Sequence, residues 1–173
     1  RSRGLGDVYK RQLLVQGARQ VGKTWLIREF GQTHFAAVAY VNFLEDEAMA
    51  RQFEGELAPA RLLDAVTLYT GVNAKDPNTL VVFDEIQECP RALTSLKSFA
   101  ERSPETALVA AGSLLGVALH RGVSFPVGKV DHLLIYPLSF DEFLLATGNN
   151  LMLDTLRRGD LALADSLSER YIE

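Results

Sequence analysis

The sequence predicts an α/β fold: a mostly parallel sheet buried on both faces by helices. Three observations lead there. Short continuous apolar runs recur along the chain, helical periodicities fall between them, and a glycine-rich loop joins the first run to the first helix.

Residues 1–12, "RSRGLGDVYKRQ", have no methionine, no strand or helix periodicity and no cap before Leu13. They resemble adapter-derived sequence at the edge of a conceptual translation, so the expectation is a non-native or disordered leader outside the fold. Leu13–Gln16 is the first apolar run, and a helix follows over Thr24–Phe30. "VAYVNF", Val38–Phe43, reads as a strand before the acidic turn "LEDE". Pro59–Tyr69 is amphipathic, with Leu62, Leu63, Val66 and Tyr69 at helical spacing and Gly71 closing it. "LVVF", Leu80–Phe83, is a buried strand, and Leu93, Leu96, Phe99 and Ala100 mark one face of a helix ending near Pro104. Ala107–Ala111 and Val130–Tyr136 are two further apolar runs. "SFDE", Ser139–Glu142, has the capping-box pattern and starts a helix to Thr147, with Gly148 as its stop. "LSERYIE" ends inside a helical pattern. The expected organisation is a leader over 1–12, a core over 13–138, and the start of a truncated C-terminal helical region over 139–173.

Composition excludes several classes. A chain of 173 residues holds one domain with a real core, and 47% hydrophobic with 23% charged residues argues against bulk disorder. The formal net charge of -4 gives no electrostatic case for a nucleic-acid surface or an anionic membrane, while leaving a local basic patch open. Cys89 is the only cysteine, which rules out an internal disulfide and fits a reducing interior. No apolar run approaches the roughly 18 residues of a membrane span, and the basic N-terminus lacks the apolar h-region of a secretory signal. A soluble cytoplasmic domain is expected.

"GARQVGKT", Gly17–Thr24, fits G-x-x-x-x-G-K-[ST] at every fixed position. By chance the four positions coincide in on the order of one chain in a hundred of this length. Gly17 and Gly22 permit backbone angles and close approach, so the amides of Ala18, Arg19, Gln20, Val21 and Gly22 converge on an anion. The following helix points its positive end at the same phosphates. Lys23 reaches the β- and γ-phosphates and the Thr24 hydroxyl ligates Mg2+. Trp25, just after the loop, either touches the nucleotide or packs.

Asp84 and Glu85 follow four apolar residues, at the carboxyl end of a buried strand, where two carboxylates are costly without a cation or water. Beside a phosphate loop, Asp84 holds the Mg2+ shell and Glu85 orients the attacking water; alone, the pair would be a solvated strand end. A GTPase pattern wants glycine at position 87, which is Gln87, and "NAKD", Asn73–Asp76, has the wrong order for its second motif. A small-molecule kinase needs no water-activating glutamate. Hydrolysis of ATP is favoured. Ser113, after a further strand, is either a sensor of the γ-phosphate or the N-cap of a helix over Leu114–Leu119.

"LLVQGARQVGKTWLIREF", "TLVVFDEIQECPRALTSLKSFAE", "AAGSLLGVALHR" and "FPVGKVDHLLIYPLSFDEFL" together resemble the AAA-type P-loop ATPases of bacteria and archaea that precede a C-terminal domain of uncharacterised function. The resemblance runs from about Leu13 to about Ala146. It implies a three-layer P-loop NTPase core with strand order 5-1-4-3-2, ATP and Mg2+ as ligands, and Lys23, Thr24, Asp84 and Glu85 in the roles above, with Ser113 as sensor. It also implies a C-terminal effector domain or self-association. Many relatives have Gly-Arg where this chain has Gly128-Lys129; lysine keeps the charge and lacks the bidentate fork. Arg121 is the other nearby cation, its alternative a solvated loop arginine.

His34, His120 and His132 are scattered without metal spacing. Arg91, Lys97 and Arg102 fall on differing helix faces, which reads as solvation rather than a nucleic-acid stripe. The leading expectation is an ATPase core driving a conformational switch in attached domains. The alternatives are a nucleotide-gated binding module with little turnover and a small-molecule kinase.

Overall fold

Successive strand residues face opposite sides of the sheet, and this divides the core in two. A computed structural model describes residues 12–113 and 130–168. Five strands, β1 (Leu13–Gly17), β2 (Ala37–Asn42), β3 (Thr79–Asp84), β4 (Leu108–Gly112) and β5 (Asp131–Ile135), form one sheet of order β2-β3-β4-β1-β5. Every pairing is parallel. Read from the other edge, this is the expected 5-1-4-3-2.

Leu14, Ala39, Val41, Val81, Phe83, Leu108 and Ala110 belong to one hydrophobic cluster. Their strand neighbours Val15, Leu80, Val82, Val109 and Ala111 belong to a second one. The first cluster is completed by α3 (Pro59–Thr70), through Leu62, Leu63 and Val66, and by α4 (Pro90–Arg102), through Leu93, Leu96 and Phe99. The second is closed by α1 (Lys23–His34), through Ile27 and Phe30. Phe83 is the hub of the larger core: its ring meets those of Phe43, Phe53 and Phe99 edge-on, at centroid distances of 5.6, 5.4 and 6.2 Å.

Two local readings need correction. The acidic turn "LEDE" ends in a helix, because Asp46 accepts the Met49 N–H at 2.7 Å and so caps α2 (Glu47–Arg51). Arg91 and Arg102 are not merely solvated cations. Arg91 Nε and Nη2 donate to the carbonyls of Phe53 and Gly55 at 2.6 and 2.7 Å, and Arg102 Nη2 donates to Leu57 O at 3.1 Å. With Arg61 Nε on Glu56 O at 2.9 Å, they satisfy the backbone of an irregular link that no ladder serves. α1 also runs past the expected Phe30 to His34.

The described residues divide into two compact units, the first ending at Tyr136 and the second starting at Pro137. The second contains α5 (Phe140–Ala146), α6 (Asn150–Arg157) and α7 (Leu161–Ser168), with Leu144, Met152 and Leu153 as its core. Its first helix has the expected capping box: Ser139 N–H donates to Glu142 Oε2 at 2.7 Å, and Glu142 N–H to Ser139 Oγ at 3.3 Å. Gln12, at the end of the expected leader, is buried, and its carbonyl accepts the Asp131 N–H at 3.0 Å. No helix among the described residues is long and apolar enough to cross a membrane. The helix expected over Leu114–Leu119, Arg121 and Gly128-Lys129 lie outside the described residues.

Phe83→Ala removes the hub of the ring cluster and is expected to cost about 3–5 kcal/mol in chemical denaturation. A loss below about 1 kcal/mol would contradict this account of the core.

Candidate nucleotide site

β1 ends at Gly17, and the chain crosses to α1 through five residues, Ala18–Gly22. The two fixed glycines serve different ends. A Cβ on Gly17 would run into the carbonyl oxygen of Ile135, so glycine is needed where β1 lies against β5. Gly22 has open space around it but a φ of 88°, and glycine is needed there for backbone conformation. Ala18, Arg19 and Gln20 are exposed, and Val21 is half-buried.

No side chain caps α1, and its first turn contains no acid. An uncapped helix start of this kind is suited to an anion. Lys23 is buried at 6% exposure, and its ammonium donates to the carbonyls of Gly17 and Ala18 at 3.1 and 2.6 Å. No ion pair to Lys23 is present among the described residues, which suits an amine reserved for phosphate oxygens.

Asp84 continues the alternation of Leu80 and Val82 and so points to the α1 side of the sheet. The residue is 2% exposed. Oδ2 accepts the Thr24 hydroxyl at 2.7 Å and the Tyr40 hydroxyl at 2.7 Å, while Oδ1 accepts the Glu85 N–H at 2.9 Å. Three donors, and no ion pair among the described residues, hold this buried carboxyl group, an arrangement that fits a metal ion. Among the described residues no three or more His, Cys, Asp or Glu converge as a metal cage. Mg2+ needs no such cage when phosphates and water supply most ligands.

β1 and β3 are not neighbours, since β4 lies between them. Thr24 reaches Asp84 across the end of β4, where the residues are Ala110, Ala111 and Gly112. Val15 pairs with Ala111, and extending the β3–β4 register by one residue sets Ala111 opposite Asp84. A larger side chain there would stand between loop and carboxylate.

The structure thus joins Thr24 to Asp84 and Lys23 to the loop carbonyls, with Glu85 next to Asp84 in the chain. Ser113, 3% exposed, is joined to Glu85 through Gln87. Trp25 does not pack: it is 67% exposed. Two non-glycine residues among those described have a positive φ, Gln20 at 63° and Glu85 at 50°. Both lie in this site, where backbone strain commonly collects.

Tyr40 was not foreseen. The signal was available, since β2 alternation puts its ring among the apolar residues facing α1, where a hydroxyl needs a partner. Burial, then the hydrogen bond to Asp84, pushes its hydroxyl far above the ordinary tyrosine range, so it remains a donor. The Arg28 guanidinium lies 4.3 Å from the ring centroid.

Fold and site define a nucleotide-binding α/β protein of the ATPase type. The chain belongs to the family described as AAA domain, which it matches over residues 9–144, a span that opens within the expected leader. None of the curated proteins matches it. Among solved structures it is similar to the Pif1 helicase from Candida albicans, with 13% identity over 88% of this chain and a TM-score of 0.38. This chain spans 42% of that one.

Tyr40→Phe removes one donor from a buried carboxylate and is expected to lower stability by about 1–3 kcal/mol by denaturant titration. An unchanged midpoint would mean that Tyr40 adds nothing to holding Asp84.

Proposed function

We propose that the chain binds ATP with Mg2+ and hydrolyses it, and that turnover moves attached domains between two states. The observation that carries this reading is the 2.7 Å hydrogen bond between Thr24 and Asp84. It joins a loop suited to phosphate to a carboxylate suited to a metal. Family membership supports the nucleotide; the residue roles rest on geometry and chemistry.

The amides of the loop and of the first turn of α1 hold the phosphates, and Lys23 exchanges two loop carbonyls for phosphate oxygens. Thr24 Oγ1 ligates the metal and Asp84 orders its water shell; the metal supplies charge to stabilise the transferring phosphoryl group. Glu85 orients the attacking water and draws off its proton. Ser113, at the end of β4, reports the state of the γ-phosphate. Trp25 borders the bound nucleotide.

Lys23→Ala is expected to weaken Mg-ATP about a hundredfold by calorimetry, the loss of one or two charge-assisted hydrogen bonds. Unchanged affinity would defeat the phosphate-loop reading. Glu85→Gln is expected to keep Mg-ATP affinity while phosphate release falls about 10²–10⁴-fold. Equal release from variant and parent would sink the catalytic assignment of Glu85. Because Trp25 is the only tryptophan, Mg-ATP is expected to change the intrinsic fluorescence, and a flat titration with bound nucleotide would remove Trp25 from the site.

A further inference from the structure

One side chain links Glu85 to the end of β4. Gln87 lies in the 3-10 turn Ile86–Glu88, half-buried. Its Nε2 donates to Glu85 Oε2 at 2.5 Å, and its Oε1 accepts the Ser113 N–H at 3.2 Å. These partners fix the amide orientation, since a carboxylate can only accept and a backbone N–H can only donate.

Glu85 needs such a partner. It follows the last residue of β3, and its backbone, at φ 50° and ψ 44°, has left the strand for the left-handed region. The pleat that aims Asp84 therefore does not aim Glu85. Among the described residues Gln87 is the side chain that holds its carboxylate, and the other end of that amide is tied to the residue following β4.

We propose that Gln87 is a positioning residue: it sets the direction of the Glu85 carboxylate and couples it to Ser113, so that the water-orienting group and the end of β4 move together. The proposal rests on the hydrolytic reading of the site and names a further residue that it requires. A merely structural Gln87 would instead pin the 3-10 turn to β4 through the Ser113 bond alone. Two variants separate these. Gln87→Glu keeps an acceptor for Ser113 N–H and loses the donor to Glu85. Gln87→Met keeps the length and loses both.

The test measures, for the full chain and for Q87E, Q87M and E85Q, affinity for Mg-ADP, preference for Mg-ADP with aluminium fluoride over Mg-ADP, thermal midpoint, and phosphate release. The fluoride complex mimics the transferring phosphoryl group and reads the aim of Glu85 without turnover. Q87E and Q87M are both expected to keep Mg-ADP affinity and midpoint, and to lose the fluoride preference and phosphate release by about tenfold to a hundredfold. The double variant Q87M/E85Q should be no slower than E85Q alone. Parental values in Q87E, or in both variants while E85Q is impaired, would overturn the proposal and leave the hydrolytic reading standing. So would loss of Mg-ADP affinity or midpoint in step with the other readouts. A parent chain with no fluoride preference, or E85Q equal to the parent, would bring down the hydrolytic reading, and this proposal with it.

Discussion

Asp84, 2% exposed and without an ion pair among the described residues, is the constraint around which this fold is arranged. Removing Asp84 from water costs free energy that three hydrogen-bond donors offset only in part. Each donor comes from a different element: Thr24 from the start of α1, Tyr40 from β2, and the Glu85 amide from the chain leaving β3. That convergence needs parallel strands ending on one edge, β2 beside β3, and small residues at the end of β4.

The order β2-β3-β4-β1-β5 gives the required geometry. In a parallel sheet the carboxyl ends of all strands share an edge, and loops departing from that edge can meet over it. β1 delivers the glycine-rich loop, β3 the acidic pair and β4 Ser113. The ring cluster about Phe83 fixes β3 from the opposite face. Asp84 therefore emerges from a rigid strand and the positively charged start of α1 meets it from a fixed direction. Glu85, one residue on, is free of the pleat and is held by Gln87. Two adjacent acids thus have different freedoms, which suits one to order a metal shell and the other to address a water.

Much of this was legible in the sequence, and the limits have physical causes. The glycine-rich loop is local: its glycines, lysine and threonine follow one another, so spacing alone reveals it. Asp84 was legible because a carboxylate after four apolar residues is expensive. The helix of Asp46 was missed because a five-residue helix carries too little periodicity to register, and its signal was the cap alone. The roles of Arg91 and Arg102 depend on an irregular link nearly forty residues away or more, which no helical wheel shows. Tyr40 and Gln87 were read as a strand residue and as the absence of a glycine. Tyr40 meets Asp84 only once β2 lies beside β3, and Gln87 meets Ser113 only once β4 lies beside β3.

The most direct measurement is the Mg2+ dependence of ATP affinity in the parent chain and in Asp84→Asn, by calorimetry with and without Mg2+. If Asp84 completes a metal site with Thr24, the parent binds ATP more tightly in Mg2+, and the variant loses that increment while retaining its metal-free affinity. The same Mg2+ increment in both would contradict the account, because the buried carboxylate would then have no part in holding the metal.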